Sequence, residues 1–193
     1  TNVSDEPSEF QILYHTNFGI PLLKEGAQVL AAVREVAPFD DHSAKSIERW
    51  YHCEGPTPGF VEQCYFLRPI ADDKGIAEVM LRNSKGDRAV CLSFNVQELP
   101  YLTIWKNFVG VNDGYVVGLE PGTSFPNRKS FERDRGRAIN LAPSQTYCTW
   151  LRIDYMGDSN EVAKRESAIL KRQEDRTPRL HKEKSSTFSP DQN

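Results

Sequence analysis

No stretch of this chain approaches the roughly 20 consecutive apolar residues that a bilayer-spanning helix needs, so no membrane segment is read from it. A basic excess is missing too. The formal net charge is -3, which leaves no footprint for nucleic acid and no attraction to an acidic membrane surface. The four cysteines, Cys53, Cys64, Cys91 and Cys148, are widely spaced and form no Cys-x-x-Cys. Structural zinc asks for close pairs, and a secreted disulfide scaffold for a denser set. Cys64, Cys91 and Cys148 fall in strand-like runs, where a reduced thiol behaves as a small hydrophobe, so a reduced, cytoplasmic protein is expected. The N-terminal residues Thr1 to Glu6 show neither the basic nor the apolar part of a secretory leader. No glycine-rich phosphate loop follows a strand, and His-Glu-x-x-His and Gly-x-Ser-x-Gly are absent. The signatures of nucleotide, metalloprotease and α/β-hydrolase chemistry are therefore not there.

What is present is a series of short apolar runs divided by turns. Gln28–Phe39, Phe60–Leu67, Ile76–Asn83, Arg88–Val96, Leu99–Val109, Gly114–Leu119, Arg137–Leu141 and Thr146–Tyr155 all read as strands. Asp72-Asp73-Lys74-Gly75 and Ser84-Lys85-Gly86-Asp87 are turns between them. Strands at near-regular spacing with no helix between them predict an all-β, antiparallel sandwich. One such domain is expected over residues 10–157, preceded by a flexible lead-in over 1–9. Beyond Gly157 the composition shifts. Asp158 or Ser159 can cap a charged helix over 158–176 whose apolar positions are Val162, Ile169 and Leu170. Residues 177–193 are polar and Ser-rich and are expected to be disordered.

Two positions carry candidate chemistry. Glu120 ends a strand-like run just before Pro121 and Gly122, which would present a carboxylate from the rim of a sheet on a stiff loop. The plainer alternative is an acid that simply ends a strand in water. His15 follows the apolar run Phe10–Tyr14 and precedes Asn17, Gly19 and Pro21; it is either a structural histidine or a group that titrates near neutral pH. Together the two form an acid/base pair if the fold brings them into contact. His42, after Asp40 and Asp41, has the makings of a weak metal site, but a solvated loop explains it better, and no metal is expected. His52 lies beside an aromatic cluster and His181 in the polar tail.

Tyr14-His15-Thr16-Asn17-Phe18-Gly19 and Gly118-Leu119-Glu120-Pro121-Gly122-Thr123-Ser124-Phe125-Pro126-Asn127, with Leu99–Trp105 between them, resemble three segments of the aldose 1-epimerases (galactose mutarotases). The wording is most similar to an uncharacterised bacterial branch, and the similarity covers roughly residues 10 to 155. The resemblance implies the C-terminal part of an antiparallel β-supersandwich, the N-terminal half lying outside this chain. It implies a small-molecule carbohydrate partner and no cofactor, with Glu120 as base and His15 as acid. Glu62 or Gln63 in Gly59-Phe60-Val61-Glu62-Gln63 corresponds to a sugar-binding position, though an outward-facing strand residue explains Glu62 as well. Asn17, Trp105 and Asn127 are further candidates for the cleft, Trp105 being equally suited to the core. The expected activity is anomer interconversion by ring opening. The alternatives are a non-catalytic carbohydrate-binding protein and a structural β-domain that docks through the 158–176 helix. No feature of the sequence sets an oligomeric state.

Overall fold

The computed structural model describes residues 1–191. In chain order its elements are β1 (Ser8–Phe10), β2 (Thr16–Phe18), β3 (Gln28–Ala31), β4 (Val33–Pro38), α1 (Asp41–Ala44), β5 (Gln63–Pro69), β6 (Ile76–Arg82), β7 (Ala89–Asn95) and β8 (Tyr101–Asn107). They continue with β9 (Val116–Gly122), α2 (Lys129–Asp134), β10 (Ile139–Leu141), β11 (Arg152–Met156), α3 (Ser159–Gln173) and β12 (Arg179–Leu180). Two sheets face each other: six strands in the order β12-β4-β5-β8-β9-β2, and four in the order β11-β7-β6-β3. β1 and β10 form a separate two-stranded ribbon. Among the described residues all strand pairings are antiparallel except β12 on β4. The expected antiparallel β-sandwich with one long C-terminal helix is the fold observed.

Period-two alternation explains which side chains meet between the sheets. Val36 on β4, Tyr65 and Leu67 on β5, Leu102 and Ile104 on β8, and Val117 and Leu119 on β9 face the second sheet, where Val79, Leu81, Val90 and Leu92 complete the core. Lys106 points the same way and is buried, its Nζ donating to the carbonyls of Arg49 and His52 at 2.9 and 2.8 Å. Removal from water pushes its pKa down to about 8. Its role is to pin the 45–53 loop onto β8.

The run 28–39 is two strands rather than the single one expected. Ala32 turns the corner, sending β3 and β4 into different sheets, and the register of β4 shifts between Val33 and Glu35. β11 is shorter than the expected 146–155 strand, which leaves Cys148 exposed and outside any strand. α1 is the short helical turn that the irregular stretch 40–59 allows, whereas α2 is a short helix inside the β-domain that turn chemistry alone did not signal.

Both ends of the chain differ from expectation. Asn2 is buried and donates to the carbonyls of Glu6 and Leu141, so the lead-in is tied down. The segment 177–191 is also ordered: β12 pairs with β4, His181 lies 2.9 Å from Glu35, and Phe188 is 2% exposed. Phe188 joins Phe125, Phe66 and Ala37 on the outer face of the six-stranded sheet, with Phe66 and Phe125 stacked at 4.5 Å. One buried aromatic anchors a polar tail that composition alone would leave loose. Residues 192–193 of that expected tail lie outside the described residues. α3 is capped by Asp158, which accepts from the Asn160 and Glu161 amides, and buries Val162 and Ile169 against Met80, Ala89, Cys91 and Met156. Arg165 and Arg172 pair with the buried Glu78.

Candidate active site

The outer face of the six-stranded sheet carries the groups singled out above, and strand register places them. β2 and β9 pair as Thr16↔Leu119, Asn17↔Gly118 and Phe18↔Val117. Continued by one residue, the same register sets His15 opposite Glu120. On the other side Glu120 pairs with Thr103 of β8, and Thr103 with Phe66 of β5. Opposed residues of an antiparallel pair share a face and approach closely, so His15, Glu120 and Thr103 form one row. The adjacent row is Asn17, Gly118, Trp105 and Cys64.

Glu120 lies within β9, not on a loop after it. Pro121 and Gly122 continue the strand: Pro121 accepts from the Tyr14 amide at 3.0 Å, and Gly122 bridges to Leu13. Proline is tolerated because pairing beside it is irregular, so its missing N–H costs no regular ladder bond. Two glycines make the space. A Cβ on Gly118 would stand 2.3 Å from Glu120 Oε1, and one on Gly122 would meet the Ile12 and Ser124 carbonyls at 2.9 Å.

His15 Nε2 lies 3.2 Å from Glu120 Oε1, with the His15 side chain 50% exposed and that of Glu120 3% exposed. The approach is off the hydrogen-bond direction, so Glu120 Oε1 has no hydrogen-bond partner. Burial pushes the Glu120 pKa up to about 7. The Thr103 hydroxyl, on a side chain equally withdrawn from water, is likewise unpartnered. Trp105 presents its ring to the His15 imidazole edge-on, with centroids 5.6 Å apart, and its Nε1–H donates to Glu62 Oε2 at 2.9 Å. Next to this group a cleft of about 150 Å³ is lined by Phe39, Asp40, Glu62, Cys64, Trp105 and Pro126. Burial first, and then the fields of Glu120, Asp40 and Glu62, hold the Cys64 thiol well above its usual range.

The structure brings His15, Glu120, Trp105 and Glu62 together, with Asn17 in the row beside them. It does not bring Gln63 or Asn127. Gln63 points through the opposite face of the sheet, where its amide engages Ser46 and the Tyr65 hydroxyl, because neighbouring strand residues alternate sides. Asn127 turns its Nδ2 to Glu132 and to the Phe188 carbonyl, which ties down the tail. Thr103, Cys64 and Asp40 were not read from the sequence as residues of this site, Asp40 entering only beside His42 and Cys64 only as a strand thiol. Alternation from Trp105 through Thr103 would have found the first; the others depend on tertiary placement. Asp40 caps α1 by accepting from the Ser43 amide at 2.7 Å, and no three His, Cys, Asp or Glu among the described residues come within reach of one metal ion. Larger hollows exist. One of about 470 Å³ beside β1 has Tyr147 as its sole titratable side chain. Another, of about 520 Å³, lies between β3 and α3 and is largely apolar. Neither gathers an acid and a base; a third, of about 400 Å³ beside α3, does, but there Arg152 and Arg165 are ion-paired to Asp154.

Residues 1–154 match the model of a family described as a domain of unknown function, DUF4432. The chain belongs to that family. No curated protein matches it. Among solved structures it is similar to the crystal structure of a "putative aldose 1-epimerase" from Klebsiella pneumoniae subsp. pneumoniae, at a TM-score of 0.91 and 35% identity, over 96% of this chain and 48% of that one. The chain thus spans about half the length of that protein and shares its fold. No helix among the described residues is long and apolar enough to cross a membrane.

Proposed function

We propose that this DUF4432 chain carries the acid/base pair of an aldose 1-epimerase and interconverts the anomers of a monosaccharide. The observation that carries the reading is the 3.2 Å separation of His15 Nε2 and Glu120 Oε1. In a cyclic sugar the anomeric hydroxyl and the ring oxygen are bonded to the same carbon, so an acid and a base serving both must stand side by side.

Glu120, ionised, takes the proton from the anomeric hydroxyl. The C1–O1 bond becomes a carbonyl as the bond from C1 to the ring oxygen breaks, and His15 gives its proton to that oxygen. Rotation about C1–C2 turns the other face of the carbonyl to the hydroxyl. Closure returns one proton to His15 and the other from Glu120 to O1, so the chain is regenerated and no redox partner is consumed. A carboxylate with a pKa of about 7 is a far better base than an ordinary one, yet still ionises near neutrality. Trp105 offers an aromatic ring whose face can pack on sugar C–H groups, while Glu62 and Asn17 offer hydrogen-bonding groups for hydroxyls.

Saturation-transfer NMR of anomer exchange, run on the chain with a panel of aldoses, tests this. Glu120→Gln and His15→Asn are each expected to lower catalysed exchange by about 100-fold or more. Sugar-induced shifts with no exchange above the uncatalysed rate would replace the enzyme by a carbohydrate-binding protein.

A further inference from the structure

We propose that the open edge of β11 is a self-association surface, on which a second copy of this chain pairs antiparallel about a two-fold axis at Ile153. The proposal is independent of the epimerase reading, because β11 belongs to the four-stranded sheet and the His15–Glu120 pair stands on the six-stranded one.

β11 ends its sheet and pairs with β7 alone, in regular register from Arg152↔Ser93 to Met156↔Ala89. Among the described residues no backbone hydrogen bond reaches its other side. A bare row of N–H and C=O groups is a template for one more strand. The usual protections are missing. The strand holds no Pro and no Lys, and its register carries no bulge. The other sheet ends are shorter or covered: β12 and β2 are 2 and 3 residues long, and on β3 the Val29 amide donates to the Tyr51 carbonyl at 2.7 Å.

What the strand shows to water selects the partner. Ile153 is 50% exposed and Tyr155 65%, although alternation puts both on the face that Leu92 and Val90 turn to the core. A lone copy thus leaves an apolar row in water at the rim of the sheet. Arg152 and Asp154 share the opposite face, where Arg152 Nε donates to Asp154 Oδ1 at 2.9 Å. A second antiparallel copy centred on Ile153 brings Asp154 of that copy opposite Arg152, and its Arg152 opposite Asp154. On the other face Ile153 meets Ile153, and the half-buried Leu151 meets Tyr155. Both charges are matched and each of these apolar side chains meets another. Moving the centre to Arg152 or to Asp154 would set a charge against its own kind, so one register is favoured. The edge is complementary to itself, which is what an interface between identical copies requires.

Sedimentation velocity on this chain from about 5 μM to about 0.5 mM tests the proposal, with reductant present because Cys148 is exposed. A dimer is expected, with a Kd on the order of 0.1 mM for so narrow a contact. Arg152→Asp and Asp154→Arg, each alone, set like charges against each other and should weaken association at least ~10-fold. An equimolar mixture of the two variants restores both charge matches, so its affinity should return to within ~3-fold of the parent's. Recovery in the mixture excludes loss of fold as the cause. Ile153→Lys, at a half-exposed position, should weaken the dimer as well. A parent that stays monomeric, a dimer indifferent to Ile153→Lys, or a mixture no tighter than its members would overturn the proposal.

Discussion

Glu120 is an acid placed where an acid is costly. Its pKa rises from 4.5 to about 7 because burial disfavours the carboxylate, so the folded chain holds this proton more tightly than the unfolded one. The sign follows: the contribution to stability is fully present below pH 4.5 and is lost as pH rises through 7. The difference amounts to about 3 kcal/mol. Glu120→Gln, which keeps the shape without the ionisation, is therefore expected to be more stable than the parent by up to about 3 kcal/mol at pH 8 and equal to it at pH 4. Urea unfolding at the two pH values checks this, and a constant difference would mean that the effect is steric. A stability cost of this kind, concentrated on one buried carboxylate, is a common mark of a functional position.

At the scale of the element, the segment after α3 has the largest gap between its composition and its structure. β12 extends the six-stranded sheet, and Phe188 closes the Phe66–Phe125 stack from outside. The hub beneath it consists of Glu132 and Arg137, joined at 2.8 Å, with Asn127 donating to both Glu132 and the Phe188 carbonyl. Arg137 also donates to the Thr187 carbonyl at 2.8 Å. This hub fixes the strap that follows β9, so the tail supports the loop whose Pro126 lines the cleft. Phe188→Ala is expected to cost roughly 3–5 kcal/mol in chemical denaturation. A disordered tail would make the same substitution silent.

At the scale of the whole molecule, both sheets contribute to one core between them, and α3 and the C-terminal segment pack in separate clusters on the outer faces of the two sheets, built on the same strands that form that core. A single cooperative transition is therefore expected, with tryptophan fluorescence and far-ultraviolet circular dichroism giving coincident urea curves. Two resolved transitions would mean that one sheet or α3 unfolds independently.

Composition and alternation by themselves determined the antiparallel sandwich, the approximate positions of β5 to β8, and a helix capped at Asp158 or Ser159, because period two and turn residues are local signals. The order and wording of the His15 and Glu120 segments made them the candidate pair. Only the tertiary structure decided that they meet. The two lie 105 positions apart and become neighbours through the β2–β9 register, which no local pattern encodes. The same non-locality explains the errors. Gln63 and Glu62 are adjacent in sequence, yet β5 sends Gln63 through the sheet. Asn127 looked like a cleft residue until Phe188, distant along the chain, claimed its amide. The lead-in and the tail read as loose because their few anchoring contacts, Asn2 to Leu141 and Phe188 to Phe125, are made with residues far away in sequence. Burial moved Glu120 from the ordinary carboxylate range to about 7, and burial is a property of the assembled fold.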